Sequence, residues 1–265
     1  MIKTYVVDAF ITDRPFSGNP AGICFLDSWK SESLMQHIAA EMNHSETAFI
    51  VKQDDGFSIR YFTPTVEVPL CGHATLATAS VIWHESLVHR SKDIIFYAKG
   101  GSLKAYQSES NVISIDFPKA VSRPLSQIDD SLLSQLHITT NSVYQSEKDL
   151  VYELDSENEV KNFNVDVAKL KTLPYRLHIL TAESENPDFD FVSRVFAPTA
   201  GIDEDPATGI AHCILGPIWA EKLNKTTLKA YQASQRGALF GISVSGEKVQ
   251  LTGTTKIMLK GHFYA

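Results

Sequence analysis

Glu46 is the residue in this sequence best suited to moving a proton. It lies in the polar segment 43–47, directly before the apolar run 48–51, so its carboxyl is drawn toward the core. Partial burial would raise the pKa of Glu46 into the range that general acid/base chemistry on a carbon acid requires. A plainer interpretation fits the spacing equally well, with Asn43 capping a helix and Glu46 exposed at a strand edge.

A short motif, Arg-x-Phe-x-Pro-Thr, occurs twice, at residues 60–65 and 194–199. Each copy ends a predicted strand and precedes a predicted buried helix by the same spacing. We interpret the two copies as an internal duplication, because the predicted strand and helix around the motif repeat together with the motif itself.

The duplication places two helix starts in equivalent positions. One begins with Cys71-Gly72, and the other with the segment Asp205–Gly209, which includes Thr208 and Gly209. Free N–H groups at a helix start favour an anion, so each start is a predicted binding point for a substrate carboxylate or a developing enolate. If the halves face each other, the two starts converge on one cleft.

These positions also have ordinary interpretations. Asp205 before Pro206 is typical of a plain helix cap, and Cys71 is either a small buried side chain or a reactive thiol activated by the helix start. His73 and His212 lie on the predicted buried helices. No histidine pair has metal-binding spacing, so we predict no metal site.

Two further segments supply candidate substrate contacts. Residues 16–22 form a predicted loop that carries Asn19, whose amide both donates and accepts hydrogen bonds. Arg236 sits beside a glycine turn and is suited to gripping a carboxylate. Ser45, next to Glu46, completes the predicted binding set.

The hydrophobic pattern predicts strands interspersed with a few helices in both halves. Acidic residues 146–159 and 183–190 are predicted to be solvated connections. The predicted helices span Glu32–Met42, 72–83, 160–173 and 207–223.

Composition excludes several classes of function. The chain of 265 residues has 24 basic and 31 acidic side chains and no basic cluster, which argues against nucleic acid binding. No apolar run is long enough to span a membrane, and the first residues lack a signal-peptide pattern. Three cysteines without metal spacing favour free thiols. The sequence therefore predicts a cytoplasmic protein.

Taken together, four segments resemble the PhzF-like family, the phenazine-biosynthesis-like isomerases with the diaminopimelate epimerase fold. The resemblance spans nearly the whole chain and rests on residues 7–21, 43–49, 60–75 and 194–209. It implies an α+β fold of two pseudo-symmetric lobes, each a β-sheet wrapped around a central helix. The implied lobes are 1–117, joined by the last C-terminal strand, and 118–265, with the active site in the cleft between them.

The resemblance also implies roles for particular residues. Glu46 would be the general acid/base, with His73 and Asp205 around the substrate, and neither a metal nor an organic cofactor would be needed. Epimerases of this fold use a thiol at each helix start, whereas this chain has Cys71 at one and Asp205 at the other. This departure disfavours two-thiol racemisation. A second departure is Ile210, where the family often carries serine, and it favours a substrate other than the phenazine precursor.

The sequence thus predicts an isomerase that moves a proton on a small, carboxylate-bearing carbon acid. Two alternatives remain: a single-thiol epimerase using Cys71, and a catalytically silent small-molecule-binding protein. The family pattern further implies a homodimer.

Overall fold

The computed structural model describes residues 1–108, 112–125, 130–140 and 142–265. The chain divides into two compact units. The first consists of residues 1–117 and 250–265, and the second of residues 118–249.

Both units are mixed α and β. The helices, in chain order, are α1 Glu32–Met42, α2 Gly72–His84, α3 Asp130–Leu136, α4 Glu157–Asn162, α5 Val167–Lys171 and α6 Gly209–Leu223. The strands are β1 Ile2–Ala9, β2 Asn19–Leu26, β3 Glu46–Lys52, β4 Phe57–Phe62, β5 Glu67–Val68, β6 Ile94–Ala98, β7 Gly101–Gln107, β8 Ile113–Pro118, β9 Arg123–Pro124, β10 Ser142–Ser146, β11 Asp149–Glu153, β12 Leu177–Glu183, β13 Phe191–Phe196, β14 Thr227–Gln232, β15 Ala238–Ser245, β16 Lys248–Gly253 and β17 Thr255–Phe263.

The first unit is a mixed sheet packed around α2. Strand β1 pairs antiparallel with both β17 and β2, β2 pairs parallel with β3, and β3 pairs antiparallel with β4. Strand β4 then pairs parallel with β6, which pairs antiparallel with β7. Helix α2 contacts β1, β2, β3 and β17, and only Ser80 and His84 in it are not buried. A helix enclosed this way must be apolar or small nearly all round, as its sequence is.

The second unit repeats this order of pairings. Strand β10 pairs antiparallel with β11, β11 parallel with β12, and β12 antiparallel with β13. Strand β13 pairs parallel with β14, which pairs antiparallel with β15. The enclosed helix here is α6, which contacts β14 and β15. No helix within the described ranges is both long and apolar enough to cross a membrane.

The duplicated motif performs the same local task in each unit. Arg60 donates from Nε and Nη2 to the two carboxylate oxygens of Glu67, at 2.8 and 2.9 Å. Arg194 makes the same two-pronged contact with Glu204, at 2.8 and 3.0 Å. The paired hydrogen bonds fix both position and orientation of each carboxylate. The pairing order and this shared contact confirm the predicted duplication.

Three sequence predictions were wrong in detail. The predicted helix 160–173 is two short helices, because the Asp166 side chain accepts a hydrogen bond from the Lys169 N–H and begins a new helix. The predicted solvated connection 146–159 contains the buried strand β11, which pairs with β10 and β12 and contributes Leu150 and Tyr152 to the core. The predicted loop 16–22 becomes strand β2 from Asn19 onward.

Two histidines of the second unit are part of its core. His178 lies parallel to the ring of Tyr152 and is 3.0 Å from its hydroxyl through Nδ1. His212, on α6, stacks against Phe240 with the ring centres 3.7 Å apart. Burial lowers the pKa of each imidazole to about 4. Both rings are therefore neutral in the folded protein near neutral pH.

These two histidines are expected to make the second unit less stable in mild acid. Each imidazole gains a proton near pH 6.5 when unfolded but only near pH 4 when folded, so the unfolded state binds more protons between these values. The stability is fully present above about pH 6.5 and falls by up to about 1.4 kcal/mol per pH unit for each histidine below it. Urea unfolding between about pH 7.5 and pH 5 measures this slope. His212→Phe should reduce it, and an unchanged slope in that variant would contradict the assignment.

Candidate active site

Four of the predicted site residues lie together in the first unit. Asn19 is the first residue of β2, Glu46 is the first of β3, and Cys71 and His73 flank the first residue of α2. Ala21 on β2 pairs with Glu46 on β3, so the starts of these two strands lie side by side. The chain thus brings three separate segments to one place.

His73 is the centre of this cluster. Its Nε2 lies 3.4 Å from Oε2 of Glu46, and its Nδ1 lies 3.4 Å from Sγ of Cys71. The Asn19 amide nitrogen is 3.3 Å from the same Nδ1 and donates to it. With Nδ1 as acceptor, the ring proton is on Nε2, toward the Glu46 carboxylate.

The imidazole of His73 is uncharged. Burial, and in second place the nearby His44, lower the pKa of His73 to about 3. Its side chain is 3% exposed, whereas that of Glu46 is 14% exposed. A neutral ring therefore lies behind a carboxyl group that solvent still reaches.

The hydroxyl groups of Tyr61 and Thr75 stabilise the start of α2. Tyr61 and Thr75 share a hydrogen bond of 2.6 Å, and Thr75 donates to the Cys71 carbonyl at 2.5 Å. Both side chains are fully buried. These contacts fix the backbone between Cys71 and Thr75 and so the direction of the His73 ring.

A second cluster surrounds Asp205 in the second unit. The Thr208 hydroxyl donates to Oδ2 of Asp205 at 2.6 Å. Gln232 bridges the segment, donating to the Asp205 carbonyl at 2.5 Å and accepting from the Thr208 N–H at 2.8 Å. Helix α6 begins only at Gly209, so the interpretation of Asp205 and Pro206 as a plain cap and first helical residue was wrong. Asp205 instead lies buried in the segment that leads to the helix.

The Arg194 side chain anchors this segment from its other end. Besides Glu204, which directly precedes Asp205, it donates from Nη1 to the Phe163 carbonyl at 2.8 Å. The Arg194 side chain is 13% exposed. A well-shielded, two-pronged contact of this kind holds the loop and thereby the Asp205 carboxyl.

The remaining predicted residues lie at the edges of these two clusters. Ser45 is half-buried before β3, and Gly72 is the first residue of α2. Gly209 is the first residue of α6. Arg236 is half-buried in the turn between β14 and β15. The predicted set therefore forms two groups, one in each unit.

Sequence reasoning missed Gln232 and Ser234 as parts of the Asp205 site. Ser234 donates to the Pro206 carbonyl at 2.8 Å, which complements the bridge made by Gln232. Both lie just before Arg236 in one short polar segment. Only Arg236 carries a charge there, so only Arg236 was predicted. The usable signal was the end of a strand followed by a glycine turn, because side chains at such places often bind backbone groups of an adjacent loop.

Comparison with known proteins gives a consistent result. The model of the phenazine biosynthesis-like protein family matches residues 7–261. An uncharacterized isomerase of Halalkalibacterium halodurans is 42% identical over 256 residues, covering 97% of this chain and 96% of its own. A PhzF family protein of Enterococcus faecalis, of known structure, is 37% identical with a TM-score of 0.91, and all of both chains is covered. A probable proline racemase of Agrobacterium radiobacter, 7% identical with a TM-score of 0.69, covers 100% of this chain and 93% of its own and shares the fold alone.

Proposed function

We propose a proton-transfer reaction for this chain, which belongs to the phenazine biosynthesis-like family and is an isomerase. The substrate class is a small carbon acid that carries a carboxylate. Glu46 takes a proton from a carbon next to a carboxyl-bearing or unsaturated centre. The electrons of the broken C–H bond move into the adjacent unsaturation, and Glu46 returns the proton to another carbon of the same molecule.

One observation carries this proposal: the contact of 3.4 Å between the Glu46 carboxylate and Nε2 of a neutral His73. The N–H of Nε2 lies close to this carboxylate without making a hydrogen bond to it, so the donor side of the ring faces the group that must accept a proton from carbon. The same carboxyl is still partly exposed, so a substrate can reach it. Because His73 is neutral, it adds no full positive charge beside Glu46.

We assign a positioning role to the Asp205 cluster. The Asp205 carboxyl accepts from Thr208, and Gln232 holds the Asp205 backbone through its carbonyl, so the direction of the carboxyl is fixed. The N-terminus of α6 begins four residues later and favours a negative group of the substrate. Arg236, in the adjacent turn, is the proposed cation for the substrate carboxylate. Ile210, without a hydroxyl, favours a substrate that needs no donor at that point.

Deuterium wash-in tests this function on a range of compounds instead of one chosen substrate. The wild-type enzyme is incubated in heavy water with a panel of small cyclic and amino carboxylates, and carbon-bound deuterium is measured by mass spectrometry. We expect at least one panel compound to gain deuterium in an enzyme-dependent manner. If a broad panel gains none while the protein is folded, the proposed reaction class is wrong.

The second candidate is epimerisation through the Cys71 thiol. It is favoured by the 3.4 Å distance between Sγ of Cys71 and Nδ1 of His73, since an imidazole acceptor is the partner that activates a thiol. Cys71→Ser separates the two mechanisms in the same wash-in assay. Glu46 chemistry predicts that exchange is largely retained in this variant, whereas thiol chemistry predicts that it is lost.

A further inference from the structure

Three different metal-ligating side chains lie together in the first unit. Glu46, Cys71 and His73 each supply one metal-ligating atom, and these three atoms lie within 4.8 Å of one another. We propose that this trio binds Zn²⁺ and that the bound ion inhibits the enzyme. The binding stands apart from the proposed function, whereas the inhibition rests on it.

The donor set matches the preferences of zinc. Zn²⁺ takes thiolate, imidazole and carboxylate ligands in tetrahedral geometry, and sites with three protein ligands leave a fourth position to water. Bonds of about 2.0–2.3 Å place neighbouring donors about 3.3–3.8 Å apart. The distances from His73 to Glu46 and to Cys71 are both 3.4 Å, although through different ring nitrogens. Binding through one nitrogen therefore requires a shift on the order of 1 Å by the other side chain.

We assign Nε2 of His73 as the ligating nitrogen. It is buried and makes no hydrogen bond with any residue in the described part of the chain. Metal-binding imidazoles keep their other nitrogen protonated and hydrogen-bonded to a second group. Asn19 becomes that group once zinc displaces the Nε2 proton: the ring proton then lies on Nδ1, and a half-turn of the Asn19 amide turns its oxygen toward Nδ1.

The surroundings also suit a bound cation. Cys71 is the residue before α2, and the positive end of a helix dipole stabilises a thiolate there. Cys71 is buried, with 7% of its surface exposed, which limits competition from water for the metal ion. A zinc ion at this place would occupy the carboxylate oxygen of Glu46 that must receive the proton. Loss of the proposed proton transfer is the direct consequence.

Zinc titration of the chelator-treated protein, without any substrate, tests the site itself. Isothermal calorimetry is expected to give one Zn²⁺ per chain, and Co²⁺ in its place is expected to show a thiolate charge-transfer band. Cys71→Ser and His73→Asn should each weaken zinc binding by about 100-fold or more, since loss of even a supporting contact to a zinc ligand costs about 10–100-fold. Cys24→Ala is the matched control, because Cys24 is a buried thiol of the same unit outside the cluster.

The outcomes are distinct from those of the proposed function. Equal zinc affinity in wild type, Cys71→Ser and His73→Asn would overturn the site, as would the absence of stoichiometric binding to the wild type. If Cys71→Ser fails to fold, Cys71→Ala replaces it. Deuterium wash-in by zinc-free enzyme tests the function alone. Unchanged wash-in with one zinc ion bound would overturn the inhibition while leaving that function in place.

Discussion

Glu46→Gln is expected to lower the rate of deuterium wash-in by about 10²–10⁴-fold, the range typical of a general acid/base. The amide has the same shape as the carboxyl group but cannot take a proton from carbon. Because Glu46 is the first residue of β3 and its side chain is partly exposed, the substitution should leave the fold intact. The measurement is the initial rate of label incorporation into the best panel compound, together with circular dichroism of both proteins.

Glu41→Gln is the matched control for this substitution. Glu41 is an exposed residue near the end of α1, five positions earlier, and removing its charge changes the net charge by the same amount. Wash-in should be the same in this variant as in wild type. Substantial exchange in Glu46→Gln would rule out Glu46 as the proton carrier. A similar loss in both variants would mean that the effect is electrostatic and not specific to Glu46.

Local sequence patterns predicted the elements that carry the site. Helix α1 has the predicted bounds, and Asn43 caps it in a left-handed conformation with φ of 50°. The pattern of α2, whose residues are apolar or small nearly throughout, was equally clear, because strands enclose this helix. These elements could be predicted because their signals lie within one short stretch of chain.

The partners of each site residue could not be predicted in the same way. The contact between Glu46 and His73 depends on how β3 and α2 pack, which is a property of the whole unit and not of either segment. The buried strand β11 was missed for a related reason. Its flanks are acidic, and its pairing with both β10 and β12 makes the apolar residues between them a strand.

The Glu46 prediction came from a polar segment at the start of an apolar strand, and in the structure Glu46 is the first residue of β3 with its side chain 14% exposed. A side chain at a strand start is drawn inward by its neighbours, yet it keeps one side open to solvent. Gln232 sits at the opposite end of a strand and has an equally important structural contact. It was missed because a neutral amide gives no signal of charge or periodicity.

Gly18→Ala is expected to destabilise the first unit by about 3 kcal/mol, through a backbone cost and a crowding cost that add, and to disturb the Glu46 site as well. Gly18 has φ of +74°, a conformation that costs other residues about 1–2 kcal/mol. An added Cβ would also lie 2.3 Å from the Ala9 carbonyl oxygen, and backbone cannot move aside as a flexible side chain can. Overpacking of this kind costs a further amount of about 1–3 kcal/mol.

The effect should reach the site because Asn19 is the next residue. Any shift of the backbone away from Ala9 moves the Asn19 amide relative to His73, so the 3.3 Å contact between them would be lost. Gly246→Ala is the control, since Gly246 has φ of +54° but no atom within 4 Å of an added Cβ. It should show only the backbone cost of about 1–2 kcal/mol in urea unfolding and no change in wash-in rate. Equal destabilisation by the two substitutions would show that crowding against Ala9 contributes nothing, and that the start of β2 tolerates a side chain at position 18.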